Sequence, residues 1–234
     1  MNKVPFRLLR TSNHPCSYLQ GRSASTTFLD PEIQVTKQIN TLFSQRGFRR
    51  SGDLLYKPNC DTCNLCISCR IPINDFTPKK SHHRIIKGNS DLRVVEADNL
   101  NCDESYKLYE LYINNRHKDG DMFPPSKDQF NSFLKKKTDE TVFFKFFNKG
   151  KLVSVSVTDV LSDGLSAVYS FYNPFENKRS LGTYSILYQT RSAFERELSY
   201  LYLGYWVKNC RKMDYKIKFR PLQMLSGTQW ITIN

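Results

Sequence analysis

Cysteines at every third residue form the clearest chemical pattern in this chain. The stretch CDTCNLCISCR holds Cys60, Cys63, Cys66 and Cys69, and thiolates at repeated C-x-x-C spacing are typical ligands of zinc and of iron–sulfur centres. Structural zinc sites usually take their two ligand pairs from separated stretches, however, and a β-strand would place alternate cysteines on opposite faces. Two interpretations remain open: a labile metal or redox site, to which Cys16 could add a ligand, and ordinary buried thiols.

A second pattern predicts an anion-binding site in the C-terminal half. The residues Arg179-Ser180-Leu181-Gly182-Thr183-Tyr184 lead into a stretch, about 181–198, whose apolar side chains recur three and four residues apart, as in an amphipathic helix. Aromatic and β-branched runs at 165–172 and 200–207 predict strands on either side of it. Because the start of such a helix presents free backbone N–H groups to an anion, we expect the donor of a group-transfer reaction to bind here.

The chain offers no convincing covalent nucleophile. No serine–histidine–aspartate or cysteine–histidine set has suitable spacing, and nothing in the sequence marks the Cys210 thiol as activated. His117 stands alone in a polar stretch after Arg116, and lone histidines of this kind are more often structural than catalytic.

The composition favours a globular protein with a polyanionic partner. Of 234 residues, 39% are hydrophobic, and 35 Lys and Arg outnumber 22 Asp and Glu to give a net charge of +13. Such an excess favours nucleic acid over a membrane, because no basic helix with a broad apolar face is evident. No apolar run reaches the roughly 18–20 residues of a membrane span, and the N-terminus lacks the apolar core of a secretory signal. We therefore expect a cytoplasmic protein whose seven cysteines are reduced or bind metal.

Helix and strand signals divide the chain into two predicted domains, 1–98 and 99–234. In the first, a helix is expected between Asp30, as its cap, and Gly47, just after its end. In the second, the expected order from Asp103 is helix, helix, hairpin, strand, loop, helix, strand. The residues from Asp214 onward are expected to form an irregular basic tail.

This order resembles the GNAT acyltransferase fold, in which the donor's phosphates sit at the N-terminus of the helix after the fourth strand. The resemblance implies an α+β, GNAT-like fold, with a mixed sheet flanked by helices and a smaller N-terminal domain that carries the cysteines. The loop at 179–184 matches half of the acetyl-CoA loop of that fold. Tyr184 stands where close approach of a pyrophosphate needs a small residue, which disfavours an acyl-CoA donor.

Several short motifs resemble a narrower family. In the C-terminal half they are Tyr169-x-Phe171-Tyr172-x-Pro174, Ser180-Leu181-Gly182-Thr183-Tyr184-Ser185, Tyr202-x-Gly204-Tyr205-x-Val207, Tyr215-Lys216 and Arg220-Pro221. Earlier in the chain they are Cys16-x-Tyr18-Leu19, Gly47-Phe48-Arg49-Arg50, Tyr56-x-Pro58-x-Cys60-Asp61-x-Cys63 and Arg116-His117-x-Asp119-Gly120-x-Met122. The first set resembles aminoacyl-tRNA–protein transferases of the arginyltransferase type. The second resembles their compact bacterial branch, the aspartate/glutamate leucyltransferases, and together the motifs span almost the whole chain.

The resemblance implies an aminoacyltransferase that moves leucine from leucyl-tRNA to the α-amine of a protein beginning with Asp or Glu, creating a destabilising N-terminus for N-degron proteolysis. Aminolysis of an activated ester needs positioning and oxyanion donors, and no cofactor is required. In related arginyltransferases the N-terminal cysteines bind metal or an iron–sulfur cluster, which implies zinc or iron–sulfur at Cys16, Cys60, Cys63 and Cys66. An arginyl-tRNA donor, an acyl-CoA-dependent N-acyltransferase and a non-enzymatic zinc module that binds nucleic acid remain the alternatives.

Candidate site residues follow from these roles. The tyrosines that could donate to the oxyanion or stack on the terminal adenine are Tyr169, Tyr172, Tyr184, Tyr188 and Tyr205. Tyr184 and Tyr205, with His117 to orient the amine, make up the predicted catalytic set. Contacts to the donor tRNA are predicted for Arg179, Ser180, Leu181, Gly182, Thr183, Tyr188 and Lys208. The acceptor carboxylate needs an arginine, and the candidates are Arg116, Arg179 and Arg191. A basic surface along the acceptor stem is expected from Arg49, Arg50, Lys79, Lys80, Arg84, Lys208, Arg211 and Lys212.

Overall fold

The computed structural model describes residues 6–100, 103–135 and 140–234. The strands in these ranges are β1 Leu8–Arg10, β2 His14–Pro15, β3 Ser23–Ala24, β4 Thr26–Leu29, β5 Arg49–Ser51, β6 Leu54–Pro58, β7 Cys66–Pro72, β8 Arg93–Ala97, β9 Thr141–Asn148, β10 Lys151–Val160, β11 Gly164–Tyr172, β12 Tyr200–Val207, β13 Leu222–Ser226 and β14 Gln229–Ile233. The α-helices are α1 Lys37–Gln45, α2 Lys80–Lys87, α3 Asp103–Arg116, α4 Lys127–Phe130 and α5 Leu181–Glu195. A π-helical turn, Asn131–Lys135, extends α4, and Asn177–Arg179 and Arg211–Lys218 form 3₁₀ helices.

An eight-stranded mixed sheet forms the centre of the molecule, in the order β14-β13-β7-β12-β11-β10-β9-β8. Its strands pair antiparallel except for β11 and β12, which are parallel. Helices cover both faces: Phe143 packs in the core beneath α3, and its neighbour Phe144 packs in the core beneath α5, because successive side chains of a strand point to opposite faces. The predicted mixed sheet flanked by helices is therefore confirmed.

A smaller four-stranded sheet, in the order β1-β4-β6-β5, lies in the N-terminal part of the chain with α1 packed against it. Its core contains Leu29, Phe43 and Leu55. Strands β7 and β8 come from the same half of the sequence but belong to the large sheet. The large sheet thus extends across the predicted boundary at residues 98 and 99.

The order of elements after Asp103 is as expected, and strand 200–207 has the predicted bounds. The first helix differs, because it begins at Lys37 rather than near Asp30. Thr36 is its N-cap, with the side-chain oxygen accepting a hydrogen bond from the Ile39 N–H at 3.3 Å. Asp30 instead accepts the N–H of Glu32 at 3.0 Å, which holds a turn.

The prediction of an irregular C-terminal tail is wrong. Residues 222–233 form the hairpin β13–β14, which extends the large sheet beyond β7. The turn between the two strands contains Gly227 at φ +60°, a backbone conformation that glycine adopts without strain. None of the helices in the described ranges is long and apolar enough to cross a membrane.

Candidate functional site

The centre of the large sheet opens where β11 and β12 separate. These parallel strands pair only from Gly164 with Tyr200 to Ser166 with Tyr202, although β11 continues to Tyr172 and β12 to Val207. Beyond the third pair, the backbone polar groups that face the gap need other partners. The gap, with the side chains around it, is called the splay site below.

Arg49 fills the gap from β5. Its Nη2 donates to the carbonyl oxygens of Ala167 and Val168 at 2.9 and 2.8 Å, which are the first carbonyls of β11 after the paired region. Burial acts to lower the pKa of the guanidinium, but the nearby phenols of Tyr56 and Tyr18 raise it, so Arg49 remains charged. An arginine thus takes the place of the missing strand-to-strand hydrogen bonds.

Gly204 on β12 is required for this placement. It has φ +73°, and a Cβ atom there would overlap the Arg49 guanidinium. The β12 register shifts at the same point, between Tyr202 and Gly204, as at a β-bulge. The glycine therefore lets a charged side chain lie directly on the backbone of a central strand.

Four tyrosines lie close enough to the Arg49 guanidinium for their charges to influence its pKa: Tyr18, Tyr56, Tyr205 and Tyr215. Tyr215 has a hydroxyl deep among protein atoms, which raises its pKa to about 12, yet 40% of the residue is solvent-accessible. Arg49 likewise keeps accessible surface although protein surrounds it. Arg49 and Tyr215 are therefore both partly open to solvent, and the Tyr215 phenol remains protonated at neutral pH.

A second buried cation, Lys216, lies behind Arg49. It is 2% exposed, and its Nζ donates to the Tyr205 carbonyl oxygen and lies 3.5 Å from Met213 Sδ. Burial lowers its pKa from 10.5 to about 8, and the neighbouring charge of Arg49 acts in the same direction. At neutral pH the splay site therefore contains two positive charges.

Lys216→Met is expected to change how the free energy of unfolding depends on pH. Because the folded pKa is about 8 and the ordinary value is 10.5, the unfolded chain binds more protons between these values, and the wild type gains stability as pH rises. The variant lacks this titration. The difference in free energy of unfolding between the two proteins should shift toward the wild type by about 3 kcal/mol across that interval.

Urea denaturation at a series of pH values measures that difference directly. Lys208→Met, which removes a surface lysine, is the matched control and should run parallel to the wild type. A parallel curve for Lys216→Met would mean that the buried lysine has an ordinary pKa.

His117 belongs to a phenol cluster beside the splay site. Its Nε2 lies 3.0 Å from the Tyr112 hydroxyl, and the Tyr112 ring centroid lies 4.8 Å from that of Tyr172. Burial, followed by the charge of Lys212, lowers the pKa of His117, so its imidazole is neutral at pH 7. Tyr172 lies close enough to Tyr215 to contribute to the raised pKa of that phenol, so this cluster adjoins the splay site.

The predicted donor loop reaches the same cluster at the start of α5. Gly182 lies under the Tyr172 ring, where a Cβ atom would come within 3.1 Å of Cε1. Ser180 is exposed at φ +52°, Leu181 is buried, and Thr183 is half-buried. The first turn of α5 and its backbone N–H groups therefore adjoin Tyr172.

Arg179 is already paired with acidic side chains. Its Nη1 and Nη2 donate to the two carboxylate oxygens of Asp91, each at 2.8 Å, and its Nε donates to Glu176 at 3.1 Å. It also donates to the Gly88 carbonyl at 3.2 Å. The guanidinium thus fastens the loop before α5 to the turn after α2, and its predicted contact with tRNA stays a prediction.

The two predicted catalytic tyrosines do not present free hydroxyl groups beside His117. Tyr205 is 1% exposed, and its hydroxyl donates to the carbonyl oxygens of Gly47 at 2.7 Å and Tyr56 at 3.1 Å. Tyr184 packs edge-to-face on Phe146 of β9, in the core cluster beneath α5. The structure therefore does not bring Tyr184, Tyr205 and His117 into a single cluster.

An apolar groove of about 270 Å³ runs between α2 and α5. Its lining includes Ile73, Phe76, Ile86, Tyr184, Leu187, Tyr188, Arg191 and Phe194. Arg191 is exposed and forms a 2.7 Å ion pair with Glu195 one turn along the helix. Two of the predicted acceptor arginines are thus at the surface, since Arg116 is also exposed, at the end of α3.

The expected basic surface is present in part. Lys79, Lys80, Arg84, Lys208, Arg211 and Lys212 are exposed. Arg49 and Arg50 are not part of it, and that prediction is wrong. Arg50 is 4% exposed and donates to both carboxylate oxygens of Asp159 at 2.6 and 2.7 Å. Both arginines of β5 therefore bind groups of the large sheet: Arg49 binds β11 carbonyls and Arg50 binds Asp159 of β10.

The predicted metal ligands gather around Cys66. Burial raises the pKa of the Cys66 thiol to about 12, and the nearby thiols of Cys16, Cys60 and Cys63 act electrostatically in the same direction. The six cysteines that the structure describes are free. In the same ranges, no group of three or more His, Cys, Asp or Glu side chains is arranged to hold a metal ion. As placed, the thiols do not form a ligand set, and a bound metal stays a prediction.

Sequence reasoning placed Tyr205 in the catalytic set and Arg49 on a surface facing tRNA, but it did not bring Arg49, Tyr215 and Lys216 together in one site. Arg49 was expected at the surface, and Tyr215 and Lys216 were expected in an irregular tail. The available signal was Gly204 within the apolar strand YLYLGYWV, because a glycine inside a strand often marks a bulge or a close approach of another group.

Comparison with known proteins covers both halves of the chain. The family model described as "Arginine-tRNA-protein transferase, N terminus" matches residues 14–84, and the one described as "Arginine-tRNA-protein transferase, C terminus" matches residues 104–226. The aspartate/glutamate leucyltransferase of Pseudomonas fluorescens (strain SBW25) is 48% identical over 224 residues, which cover 96% of this chain and 95% of that protein. The protein of the same name from Hahella chejuensis (strain KCTC 2396) is 49% identical over 223 residues, 95% of each chain.

Among solved structures, L-PGS from Bacillus licheniformis aligns with 70% of this chain and 48% of its own. The TM-score is 0.46 and the sequence identity is 10%.

Proposed function

The chain belongs to the arginine-tRNA-protein transferase family, and on that basis we propose that it transfers leucine from leucyl-tRNA to the N-terminal α-amine of proteins that begin with Asp or Glu. The observation that carries this proposal is identity near 48% with aspartate/glutamate leucyltransferases over 96% of the chain. The product would carry a new N-terminal leucine, a destabilising residue for N-degron proteolysis. Since charged tRNA is an intracellular donor, we place the reaction in the cytoplasm.

The reaction makes modest chemical demands. The ester that joins leucine to tRNA is already activated, and an α-amine has a pKa of about 7.7–8.0, so roughly a tenth is neutral at pH 7. The enzyme must hold amine and ester in contact and supply hydrogen-bond donors to the tetrahedral oxyanion. As the amide bond forms, the ester bond to the tRNA breaks, so the proton lost by the attacking nitrogen must reach the departing 3′-oxygen, which leaves as a hydroxyl.

The splay site and the adjoining phenol cluster have groups suited to these steps. The accessible Tyr215 has a raised pKa and would donate to the oxyanion. His117 is neutral because its pKa is lowered and could accept the amine proton through Tyr112 and Tyr172. In this arrangement Tyr205 supports the site through its two backbone contacts, while Tyr184 lies outside it.

The donor would approach along exposed cations at the same end of the sheet. Lys208 immediately follows β12, and Arg211 and Lys212 come next. Backbone N–H groups of Leu181, Gly182 and Thr183 lie at the start of α5 beside Tyr172 and would meet the 3′-terminal nucleotide. The Tyr172 ring offers a stacking surface for its adenine.

A transfer assay tests the proposal. Peptides that begin with Asp, Glu or Ala are offered separately with leucyl-tRNA, arginyl-tRNA or acetyl-CoA, and the products are identified by mass. We expect leucine to be added to the Asp and Glu peptides only, and no product with acetyl-CoA.

Arginyl-tRNA is included because the matching family models carry the arginine name. Arginine transfer would keep the family and overturn the donor. An acetylated product would support an N-acyltransferase, and transfer from no donor would overturn the enzymatic proposal.

A further inference from the structure

The splay site holds positive charge that the rest of the chain does not neutralise. Among the described residues, no carboxylate lies within ion-pair distance of Arg49 or Lys216. The neighbouring Arg50, in contrast, is compensated by Asp159. A buried lysine and a half-buried arginine without a counter-ion are unfavourable in the protein alone, and an arriving anion would relieve that cost.

Arg49 has donors left for such an anion. Only Nη2 is used by β11, through its bonds to Ala167 and Val168. Within the part of the chain that the structure describes, Nε and Nη1 make no hydrogen bond. The residue keeps accessible surface, and the 40%-exposed Tyr215 stands beside it. The guanidinium is therefore fixed in orientation, charged and reachable.

We propose that Arg49 binds the side-chain carboxylate of the acceptor's N-terminal Asp or Glu and thereby selects acidic acceptors. The proposal deepens the leucyl-transfer function above and rests on it. A charge-assisted bond from Nε would hold the carboxylate, because Nη1 packs on the Gly204 backbone and Nη2 is used by β11; Lys216 behind the guanidinium adds positive potential. The α-amine of the acceptor would then lie on the side of Tyr215 and Tyr172, where the donor ester is expected.

The depth of Arg49 favours a carboxylate over a tRNA phosphate. A phosphodiester is flanked by two nucleosides and meets cations at the surface, as the exposed Lys208, Arg211 and Lys212 would allow. A carboxylate at the end of a short side chain can enter a gap between two strands. A site whose buried donors need an anion also rejects an isosteric amide strongly, because the amide leaves the charge unpaired.

The test compares peptides that begin with Asp and Asn in leucine transfer by Arg49→Gln and by the wild type. The wild type must first transfer leucine to the Asp peptide, since failure there would overturn the proposed function and not this inference. In Arg49→Gln we expect the Asp-to-Asn ratio of kcat/KM to fall by about 30- to 100-fold. The KM for leucyl-tRNA should remain within about threefold of the wild-type value, because the variant retains the surface cations.

Arg70→Gln is the matched control. Arg70 is also a buried arginine, but it stacks on Tyr200 at 3.4 Å and Trp230 at 4.3 Å, near the start of β12. It should lose stability while keeping the wild-type Asp-to-Asn ratio. Arg49→Lys covers the case in which Arg49→Gln does not fold. A lysine ammonium cannot hold the two β11 carbonyls and the carboxylate in the same geometry, so its Asp-to-Asn ratio should fall by at least about tenfold, and an unchanged ratio in this variant would also overturn the inference.

Three further outcomes would overturn the inference. One is an unchanged Asp-to-Asn ratio in folded Arg49→Gln. Another is a rise confined to the KM for leucyl-tRNA, which would assign Arg49 to a tRNA phosphate. The third is loss of the ratio in Arg191→Gln or Arg116→Gln with retention in Arg49→Gln, which would move carboxylate recognition to the surface arginines.

Discussion

Replacing Arg50 with glutamine is expected to lower the free energy of unfolding by about 3–5 kcal/mol. Arg50 and Asp159 are 2% and 0% exposed in their side chains and are joined by two hydrogen bonds of 2.6 and 2.7 Å. Glutamine cannot neutralise Asp159, so an uncompensated carboxylate would stay buried between β5 and β10. Because this pair ties the small sheet to the large one, urea denaturation should show a lower midpoint for the whole protein.

Arg191→Gln is the control for that substitution. It makes the same chemical change in an ion pair whose side chains are 73% and 55% exposed, and it should change the free energy of unfolding by less than about 1 kcal/mol. Equal effects from the two variants would show that the buried pair is not specially important for stability. A loss confined to the small sheet would show that the two sheets unfold independently.

Replacing Gly204 with alanine is expected to cost about 2–3 kcal/mol of stability and to displace Arg49. The position has φ +73°, and the added methyl group would overlap the guanidinium. Either Arg49 leaves the gap, exposing the carbonyls of Ala167 and Val168, or β12 shifts. Both responses should reduce transfer to Asp-initiated peptides by at least about tenfold in the folded variant.

Gly150→Ala separates backbone strain from this overlap. Gly150 has φ +83° in the β9–β10 turn, and no atom of the described residues lies within 4 Å of the place that an added methyl group would take. The substitution should cost only about 1 kcal/mol and leave transfer unchanged. If Gly204→Ala behaved like Gly150→Ala in both measurements, Arg49 would not depend on the glycine.

The sequence predicted the elements of the C-terminal half well, because local patterns specify them. The strand bounds 200–207, the hairpin after the second helix and the start of α5 follow from alternation, turn residues and helical spacing. The start of α1 and the β13–β14 hairpin were predicted wrongly. In both cases the deciding contact was a local cap or a strand partner that residue type alone does not specify.

The candidate site depended much less on local pattern. His117 and the loop at 180–183 were predicted as site residues, and both adjoin the Tyr172 cluster. Tyr205 has a hydroxyl occupied by two carbonyls, and Arg179 is paired with Asp91 and Glu176. Burial and pairing of this kind arise from residues far apart in the chain, which composition and spacing do not reveal.

By itself, the sequence determined the family, the order of elements and the excess of positive charge, since these follow from residue identity and periodicity. Only the tertiary structure decided which of those charges faces solvent and which is buried. Arg49 and Arg50 read alike in the sequence, yet one is neutralised by Asp159 and the other lies unpaired against β11. The physical reason is that Arg49 contacts groups far away in the sequence. Its partners are the carbonyl of Ala167, 118 residues away, and the β12 backbone at Gly204, and they come together only when the sheet forms.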